Sequence, residues 1–403
     1  MTGPLELIDE LCPDGVEYKK LGDVSKIYDG THQTPKYTDN GIKFVSVENI
    51  EDLYASKKYI SVKDYEKYKI KPQINDVLMT RIGSIGICAV IEKDEPLAYY
   101  VSLALIRPDI KVVESKYLKY AIESLNGRKE LYKRTLVNAV PIKINMGDIG
   151  KIVIPVPPLE IQREIVRILD KFTELTAELT AELTAREQQY EYYRRELLNF
   201  DDRKDINYIP LGKAFEMKNG YTPSKKIKEY WQDGTIPWFR MEDIRLHGHI
   251  LSDSIQHITM KGVKGKLFPA NSIILATTAT IGEHALLIAD SLANQQFTFF
   301  TKCKSLMDKI NTKYAYYYFY IIDEWCKRNV KISSFASVDM EKLKKLPFPV
   351  PPLAEQQRIV DVLDRFDAIC HDLTAGLPAE MTARQKQYEY YRDKLLTFKR
   401  KEA

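Results

Sequence analysis

Two short stretches of this 403-residue chain contain residue types that could bind a ligand or a metal. Gly83-Ser84-Ile85-Gly86 has glycines like those of a phosphate-binding loop, but it lacks a third glycine and no helical pattern follows it. His247-Gly248-His249 supplies two imidazoles, but no cysteine or carboxylate stands nearby at the spacing of zinc ligands. We therefore interpret the first stretch as a tight turn and the second as part of a loop, and we predict no metal site.

The motifs of the common catalytic classes are absent from the sequence. Both Pro-Pro pairs are followed by leucine, whereas an adenine methyltransferase would carry Asn/Asp-Pro-Pro-Tyr/Phe and a glycine-rich cofactor loop. Neither a Gly-x-x-x-x-Gly-Lys-Ser/Thr loop nor a His-Glu-x-x-His motif occurs. We predict no catalytic residue and a binding or scaffold role. An enzyme with an unrecognised active site, such as a self-contained nuclease, and a purely protein-binding scaffold remain alternatives.

The composition is that of a soluble chain with two or more domains. It is 44% hydrophobic and 29% charged, and it has no apolar run of the roughly 20 residues needed to span a membrane. The N-terminus lacks the pattern of a signal peptide, and the scattered cysteines predict free thiols in a reducing cytoplasm. The net charge of +4 is compatible with nucleic-acid binding but does not require it.

One long segment of the sequence occurs twice. Residues 155–200 begin Pro-Val-Pro-Pro-Leu and contain Gln-Tyr-Glu-Tyr-Tyr-Arg near their end, and residues 349–398 do the same. The regions before them correspond more loosely; for example, Val77-Leu78-Met79-Thr80 matches Ile274-Leu275-Ala276-Thr277. The sequence therefore predicts two similar globular domains at 1–154 and 201–348, each followed by a helical segment, at 155–200 and 349–403.

The repeated segments have the apolar spacing of coiled-coil helices. Apolar residues stand three and four apart, as at Ile161, Ile165 and Ile168 and again at Ile359, Val362 and Phe366. Such stripes cannot be buried by one helix alone, so we predict that the two helices pair antiparallel within the chain; two independent helices are the alternative. The predicted spacer and docking residues are Phe172, Leu175, Leu179, Leu183, Tyr193, Phe366, Leu373 and Tyr391.

The two helical segments differ in length by four residues. The first contains Thr-Ala-Glu-Leu at 176–179 and again at 180–183, whereas the second contains Gly376-Leu377-Pro378, where glycine and proline predict a kink or break. The fold class is therefore predicted to be α+β. Two mixed α/β domains would be joined by two long helices that form an antiparallel coiled coil with pseudo-two-fold symmetry.

The globular domains contain polar and basic loops that suit DNA. Arg, Lys, Asn and Gln recognise base edges, and Ser, Thr and Lys bind phosphates. We count Trp238-Phe239-Arg240 among these loops. The candidate DNA contacts are Thr31, Gln33, Lys36, Lys58, Arg81 and Ser84 in the first domain, and Thr222, Ser224, Lys225, Lys226, Arg240, Lys264, Thr278 and Gln295 in the second.

The repeated motifs resemble the conserved helical regions of the specificity subunits of type I restriction–modification systems. The resemblance rests on Pro-Pro-Leu-x-x-Gln-x-x-Ile-Val-x-x-Leu-Asp-x-Phe, on the tandem Thr-Ala-Glu-Leu units, on Gly-Leu-Pro-Ala-Glu at 376–380 and on the two copies of Gln-Tyr-Glu-Tyr-Tyr-Arg. The order and duplication of these motifs extend it over essentially the whole chain.

The resemblance implies a non-catalytic, cytoplasmic protein of a bacterium or archaeon. Its two domains would be target-recognition domains, each contacting one half of a split, asymmetric double-stranded DNA sequence. Its helices would form the spacer and dock two modification (methyltransferase) subunits that carry S-adenosylmethionine. Restriction (motor/nuclease) subunits that use ATP and magnesium would complete the complex. The chain itself would bind no cofactor.

Overall fold

The computed structural model describes residues 8, 10–332, 336–372 and 374–402. The chain divides into two compact units, of which the first is formed by residues 1–180 together with 380–403, and the second by 181–379. The first unit therefore combines the beginning and the end of the sequence, whereas the second is one continuous stretch. Each unit contains a mixed α/β domain and a pair of helical segments.

The domain of the first unit is built on a four-stranded antiparallel sheet and a second four-stranded sheet. The first sheet has the strand order Ser25–Asp29, Leu103–Pro108, Val77–Thr80, Cys88–Val90. The second has the order Tyr37–Thr38, Tyr59–Ile60, Ile42–Val45, Leu97–Tyr99. Two further pairs join Tyr18–Lys20 to Val153–Pro155 and Thr135–Leu136 to Lys143–Ile144. The α-helices are Leu21–Val24, Val62–Tyr65, Ser115–Glu123, Leu125–Tyr132 and Met146–Ile149.

The domain of the second unit repeats this plan. A five-stranded sheet has the order Phe215–Asn219, Phe297–Lys302, Ile273–Ala276, His284–Leu287, Ile250–Leu251. A three-stranded sheet has the order His257–Ile258, Ile236–Phe239, Leu292–Ala293. Two further pairs join Asn207–Pro210 to Pro347–Val350 and Val330–Ile332 to Ala336–Val338. The α-helices are Leu211–Ala214, Met241–His247, Thr312–Arg328 and Met340–Lys345.

The central strands are mostly apolar because both faces of each main sheet are covered. Alternate residues of a strand point to opposite faces. In the first unit, Val77 and Met79 belong to one hydrophobic cluster while Leu78 belongs to another. In the second unit, Ile273 and Ile274 divide between two clusters in the same way.

The structure corrects the alignment of the two domains by one residue. Strand Val77–Thr80 corresponds to Ile273–Ala276, not to residues 274–277, because Gly86 N donates to Thr80 O at 2.9 Å just as Gly282 N donates to Ala276 O at 3.1 Å. The sequence suggested the other register because Thr80 was matched to the identical residue Thr277. Hydrogen bonding places Ala276 there instead.

The first helical segment is one unbroken helix, whereas the second is interrupted. The first runs from Leu159 to Leu198 over 40 residues. The second consists of Leu353–His371 and Leu377–Leu395. Gly376 fits into the break because a Cβ there would lie 2.5 Å from Ala368 O. The interruption thus begins at Asp372, before the predicted Gly-Leu-Pro, and Pro378 stands in the first turn of the next helix, where proline is tolerated.

Within each unit, an early part of one helix packs against a late part of the other, so the pairing is antiparallel. In the first unit, the ring of Phe172 stacks on that of Tyr391, with centroids 5.5 Å apart. In the second, Phe366 stacks on Tyr193 at 5.4 Å. The two pairs occupy equivalent positions of the repeat. The prediction of intrachain antiparallel pairing is confirmed in both units.

The buried face of the second helix differs from the predicted stripe. Val360, Leu363 and Cys370 are buried, whereas Ile369, which the 4-3 spacing placed in the stripe, is 40% exposed. The reason is that Val360 and Leu363 also belong to the hydrophobic cluster of their own domain. The start of the helix therefore packs on a domain as well as on a helix, and a pure coiled-coil pattern does not describe it.

Candidate nucleic-acid interface

A repeated set of polar contacts fixes each spacer helix to the domain before it. The fully buried Gln162 donates from Nε2 to Pro157 O and Val112 O, at 2.7 and 2.9 Å, and accepts from Glu114 N at 2.9 Å. Gln356 makes the equivalent three hydrogen bonds, to Pro351 O, Lys309 O and from Asn311 N. These bonds join each spacer helix to the backbone just before its own start and to the backbone just before helix Ser115–Glu123 or Thr312–Arg328, which fixes its direction relative to its domain.

A second shared contact lies about two turns further along each helix. Asp170 accepts from Tyr120 Oη at 2.6 Å and from Lys116 Nζ at 2.8 Å. Asp364 likewise accepts from Tyr317 Oη and from Lys313 Nζ, both at 2.6 Å. Sequence reasoning used the repeated Gln and Asp only as signs of duplication. The repeated Lys-Tyr-x-x-Tyr at 116–120 and 313–317 was the available signal for their partners.

The first candidate DNA loop follows strand Ser25–Asp29 in the first unit. Thr31, Gln33 and Lys36 line a surface cavity of about 490 Å³ together with Lys67 and Lys69. Gln33 N donates to Thr31 Oγ1 at 3.3 Å, which folds the loop back on itself. At the start of the loop, a Cβ on Gly30 would lie 2.4 Å from Tyr100 O, so a larger residue could not follow this path. Asp29 and Asp64 line the same cavity, and Lys67 pairs with Asp64 at 2.6 Å. Three predicted residues therefore share one polar surface of mixed charge.

The other three candidates of the first unit have different surroundings. Arg81 is only 6% exposed, and its guanidinium donates to Ile144 O at 3.1 Å and lies 3.2 Å from Asp29 Oδ1. It is therefore held inside the domain and is not presented as a free base-contacting side chain. Lys58 is exposed but forms an ion pair with Glu48 at 2.8 Å. Ser84 is half-buried in the turn that follows strand Val77–Thr80.

In the second unit, three of the eight candidates gather around two aromatic rings. Lys225 Nζ lies 6.0 Å from the centre of the Trp238 ring, and the Arg240 guanidinium lies 5.9 Å from it. Lys264 Nζ lies 5.6 Å from the ring of Tyr221. The two rings are joined because Trp238 Nε1 donates to Tyr221 O at 3.1 Å. A cation is attracted to the face of an aromatic ring, so the rings hold these basic side chains in place on the surface.

The remaining candidates of the second unit border this surface, except one. Thr222 Oγ1 donates to Gln295 Oε1 at 2.6 Å, and Ser224 O accepts from Trp231 Nε1 at 3.1 Å. Lys226 is exposed on the same loop. Thr278 instead lies in the turn after strand Ile273–Ala276, where it pairs with Ser337 in an isolated antiparallel bridge.

Sequence reasoning missed the aromatic residues that lie beneath the basic candidates of the second unit. Trp238 and Phe239 are buried in strand Ile236–Phe239, so the loop expected at 238–240 is wrong for its first two residues. Trp231 packs edge-on against Trp238 with centroids 4.9 Å apart. The clustering of Tyr221, Trp231 and Trp238 near the basic residues was visible in the sequence, but their approach depends on the sheet.

The predicted spacer residues lie on the paired helices. Leu175 and Leu179 are half-buried in the first unit, and Leu183 packs against the main hydrophobic cluster of the second. Tyr193 and Tyr391 stack on phenylalanines with one face and remain partly exposed. Leu373 lies outside the described residues.

The described residues contain neither a group of metal ligands nor a helix that could cross a membrane. No cluster of three or more His, Cys, Asp or Glu side chains in residues 8, 10–332, 336–372 and 374–402 has a geometry that could hold a metal ion. In the same part of the chain, no helix is both long and apolar enough to pass through a membrane.

Comparison with known proteins gives one consistent family. The family model described as "Type I restriction modification DNA specificity domain" matches residues 13–186 and again 203–383. The EcoprrI specificity subunit of Escherichia coli is 51% identical over 209 residues, which are 50% of this chain and 52% of that protein. The EcoR124I/EcoR124II specificity subunit of Escherichia coli is 42% identical over 267 residues, which are 62% and 64% of the two chains. The chain thus matches only about half to two thirds of the length of these two relatives.

A more distant relative and two solved structures match over nearly their whole length. A putative type I restriction enzyme specificity subunit of Haemophilus influenzae is 28% identical over 407 residues, covering 95% of this chain and 96% of that one. A chain from a structural study of complex assembly and conformational transition in the type I R-M system gives a TM-score of 0.63 at 17% identity, covering 95% and 97%. The type I S subunit from M. genitalium gives 0.53 at 14%, covering 95% and 96%.

The structural likenesses establish the fold alone, because their sequence identities are low. The family is established by the sequence model, which covers most of the chain in two consecutive copies. The resemblance noted from the repeated motifs is confirmed, and the chain belongs to the family of type I restriction–modification DNA specificity subunits.

Proposed function

We propose that this chain recognises a bipartite, asymmetric DNA target, with one half-site for each unit. The supporting observation is that equivalent positions of the two units differ in chemistry while their frameworks agree. After the corresponding first strand of the main sheet, the first unit presents Thr31, Gln33 and Lys36, and the second presents Thr222 and Lys225 beside Trp238. Different donors and acceptors in equivalent places select different base pairs.

The proposal extends to the partners that the resemblance implied. The chain would direct the complex to its DNA target and would catalyse no reaction itself. Two modification subunits would bind, one for each copy of the repeated helical segment, and would carry S-adenosylmethionine. Restriction subunits would use ATP and magnesium. The equivalent Phe172–Tyr391 and Phe366–Tyr193 pairs support two similar docking regions, because each leaves a partly exposed tyrosine on the paired helices.

Mapping of methylated adenines tests this function directly. The chain and its modification subunit would be expressed in cells that lack other adenine methylation, and the methylated positions would be located throughout the genome. We expect a single motif with two unlike specified parts separated by a fixed gap. A palindromic or continuous motif would contradict the assignment of one half-site to each unit. Methyl transfer by the pure chain without its partner would show that it is an enzyme.

The length of the unbroken helix Leu159–Leu198 supports a role in setting the gap. Removing one Thr-Ala-Glu-Leu unit, residues 176–179, shortens a helix by about 6 Å, which is one to two base-pair steps of about 3.4 Å. We expect the preferred gap to change while both half-sites stay the same. Methylation of duplexes with graded gaps measures this. Glu178→Gln is the control that keeps the length, and an unchanged gap in the deletion variant would contradict the role.

Binding strength should depend on the partners. The net charge of +4 is small for a protein that binds DNA by itself. We expect the isolated chain to bind target duplex weakly and the complex with modification subunits to bind more tightly, with affinity falling as salt rises. Titrations at several salt concentrations, with and without the partner, measure both effects. Equal sequence-independent binding in both states would favour a protein scaffold instead.

A further inference from the structure

The hairpin formed by Thr135–Leu136 and Lys143–Ile144 exposes an unusual amount of apolar surface in the first unit. Leu136, Val137 and Ile142 are all exposed, and Val140 is 100% exposed. These four side chains belong to one short stretch of the chain. Scattered apolar residues on a surface are ordinary, whereas a contiguous group at the tip of an ordered element marks a contact with another molecule.

The charge around this tip identifies the kind of molecule. Residues 128–143 contain the five basic residues Arg128, Lys129, Lys133, Arg134 and Lys143, and one acidic residue, Glu130. Five positive charges minus one negative charge give +4, which equals the net charge of the whole chain. Within this segment Glu130 forms ion pairs with Lys133 at 2.7 Å and with Arg134 at 2.8 Å. An apolar tip in a segment with excess positive charge complements a polyanion whose interior is apolar. Double-stranded DNA, with phosphates outside and stacked bases inside, has this character.

The hairpin is also fixed beside the candidate DNA loop of the same unit. Gly83 N donates to Ile142 O at 2.9 Å, and Ile144 N donates to Arg81 O at 3.0 Å. The Arg81 guanidinium then joins Ile144 O to Asp29, which directly precedes the loop containing Thr31. Arg81 is therefore a positioning residue that connects the hairpin to the loop, and this explains why it is buried.

We propose that this hairpin is a second DNA-contacting element of the first unit, with Val140 and its apolar neighbours against the bases and Lys143 of its second strand on a phosphate. The proposal rests on the proposed function of DNA recognition and adds a contact that the candidate residues did not include. Apolar side chains contact thymine methyl groups or insert between base pairs, and both contacts depend on sequence.

The second unit has a hairpin at the equivalent place. Its strands Val330–Ile332 and Ala336–Val338 are docked in the same way, because Val338 N donates to Thr277 O at 2.9 Å. The connecting residues 333–335 lie outside the described residues, so the proposal is made for the first unit alone.

Substitution of Val140 gives a clean test because a fully exposed side chain contributes little to folding. The chain in complex with its modification subunit would be titrated with two labelled duplexes, one containing the mapped methylation site and one with scrambled half-sites. We expect Val140→Asp to weaken binding to the target duplex by about tenfold or more, the usual cost of losing one base contact, and to lower the preference over the scrambled duplex. Lys143→Ala should weaken binding to both duplexes and reduce the salt dependence.

Ile110→Asp is the matched control, since Ile110 is also apolar and is 58% exposed in the same unit. It should leave both affinities unchanged. Replacing thymines of the half-site by uracil would identify methyl contacts, and 2-aminopurine fluorescence would identify insertion between bases.

The outcomes separate this inference from the function on which it rests. If the parent complex prefers the target duplex and Val140→Asp keeps that preference, the hairpin does not contact the bases and the proposed function stands. If the parent complex shows no preference, both fail. If Val140→Asp releases the modification subunit, as measured by the mass of the complex, the tip binds a protein and the proposal is overturned.

Discussion

Gln162 of the first unit and Gln356 of the second make the same three hydrogen bonds, whereas another pair of equivalent residues, Cys88 and His284, have unrelated surroundings. Cys88 N donates to the carboxylate of Glu123, whose pKa is raised by burial. The ring of His284 contacts Asp323 at 2.5 Å and lies edge-on to Tyr320. The contacts that direct the spacer helices are thus retained, while the domain interior beside them varies.

The arginine of each Tyr-Tyr-Arg motif also combines a contact that both units share with contacts that differ between them. Both arginines lie over the tyrosine four residues before them, with Arg194 5.1 Å from the centre of the Tyr190 ring and Arg392 5.6 Å from that of Tyr388. Arg194 also lies 4.0 Å from the centre of the Tyr320 ring, whereas Arg392 is buried and pairs with Asp393 at 3.0 Å. Identical residues of the repeat therefore share one partner and differ in the others. A unit needs a constant helix attachment to assemble, but its recognition domain is free to change. Equivalent substitutions in the two units show which contacts the units share and which contacts differ between them.

The largest effect is expected for the shared glutamines. Gln162→Ala and Gln356→Ala each leave buried backbone groups without partners, which should lower the free energy of unfolding of the affected unit by about 2–4 kcal/mol. Hydrogen exchange measured by mass spectrometry resolves the two units, which is necessary because a two-unit chain need not unfold in one step. The two losses should be similar. A large difference between the two losses of unfolding free energy would contradict the equivalence of the two helix attachments.

A smaller effect, confined to one half-site, is expected for the loops. Gln295→Ala removes the side chain that accepts from Thr222, so it should relax discrimination in the half-site of the second unit by about 1–3 kcal/mol. Gln33→Ala should do the same for the first unit. Methylation rates on duplexes altered in one half-site at a time measure both. Loss of discrimination in both half-sites from a single substitution would contradict independent recognition by the two units.

Substitutions of the two phenylalanines in the helix pairs should differ modestly in their cost to stability. Phe366 stacks on Tyr190 as well as on Tyr193, with centroids 6.1 and 5.4 Å away, whereas Phe172 stacks on Tyr391. We expect Phe366→Leu to cost about 0.5–1.5 kcal/mol more than Phe172→Leu, the value of one additional aromatic pair. Local hydrogen exchange of the helices is the measurement, and equal losses would show that the second ring adds nothing.

The smallest effect is a pH dependence confined to the second unit. Burial lowers the pKa of His249, whose Nδ1 donates to His284 O at 2.7 Å, and His284, Glu283 and Asp323 affect it more weakly. Because the folded unit favours the neutral ring, its contribution is complete above the ordinary histidine pKa of about 6.5 and is lost as the pH falls through the lowered value.

We therefore expect strand Phe297–Lys302 to lose protection between pH 7.5 and 5.5 after correction for intrinsic exchange rates, and His249→Gln to reduce that loss. The control is His32→Gln, since His32 is an exposed residue of the first unit. An equal loss in strand Leu103–Pro108 of the first unit would contradict this origin.

Sequence patterns predicted the duplication, the paired helices and the family because these depend on local spacing repeated in order. They did not predict the one-residue shift at Ala276, because register is set by hydrogen bonds between strands that are distant in sequence. Residue chemistry named Lys225, Arg240 and Lys264 as DNA candidates but did not predict that they gather around Trp238 and Tyr221. It also suggested Arg81 as an exposed contact, since no local pattern reveals that Asp29 and Ile144 enclose its guanidinium.

The first unit is formed by an early and a late segment of the chain, and this affects the order in which the two units fold during synthesis. Val16 pairs with Arg400 in a parallel bridge, and Val16 N donates to Lys399 O at 2.8 Å, so the first unit is incomplete until residues 399 and 400 are made. Residues 181–379 of the second unit are already available by then. A nascent chain emerges N-terminal end first, yet here the unit that begins first is the last to be completed. Ribosome-bound chains truncated near residue 379 should therefore present a folded second unit beside an unfinished first one.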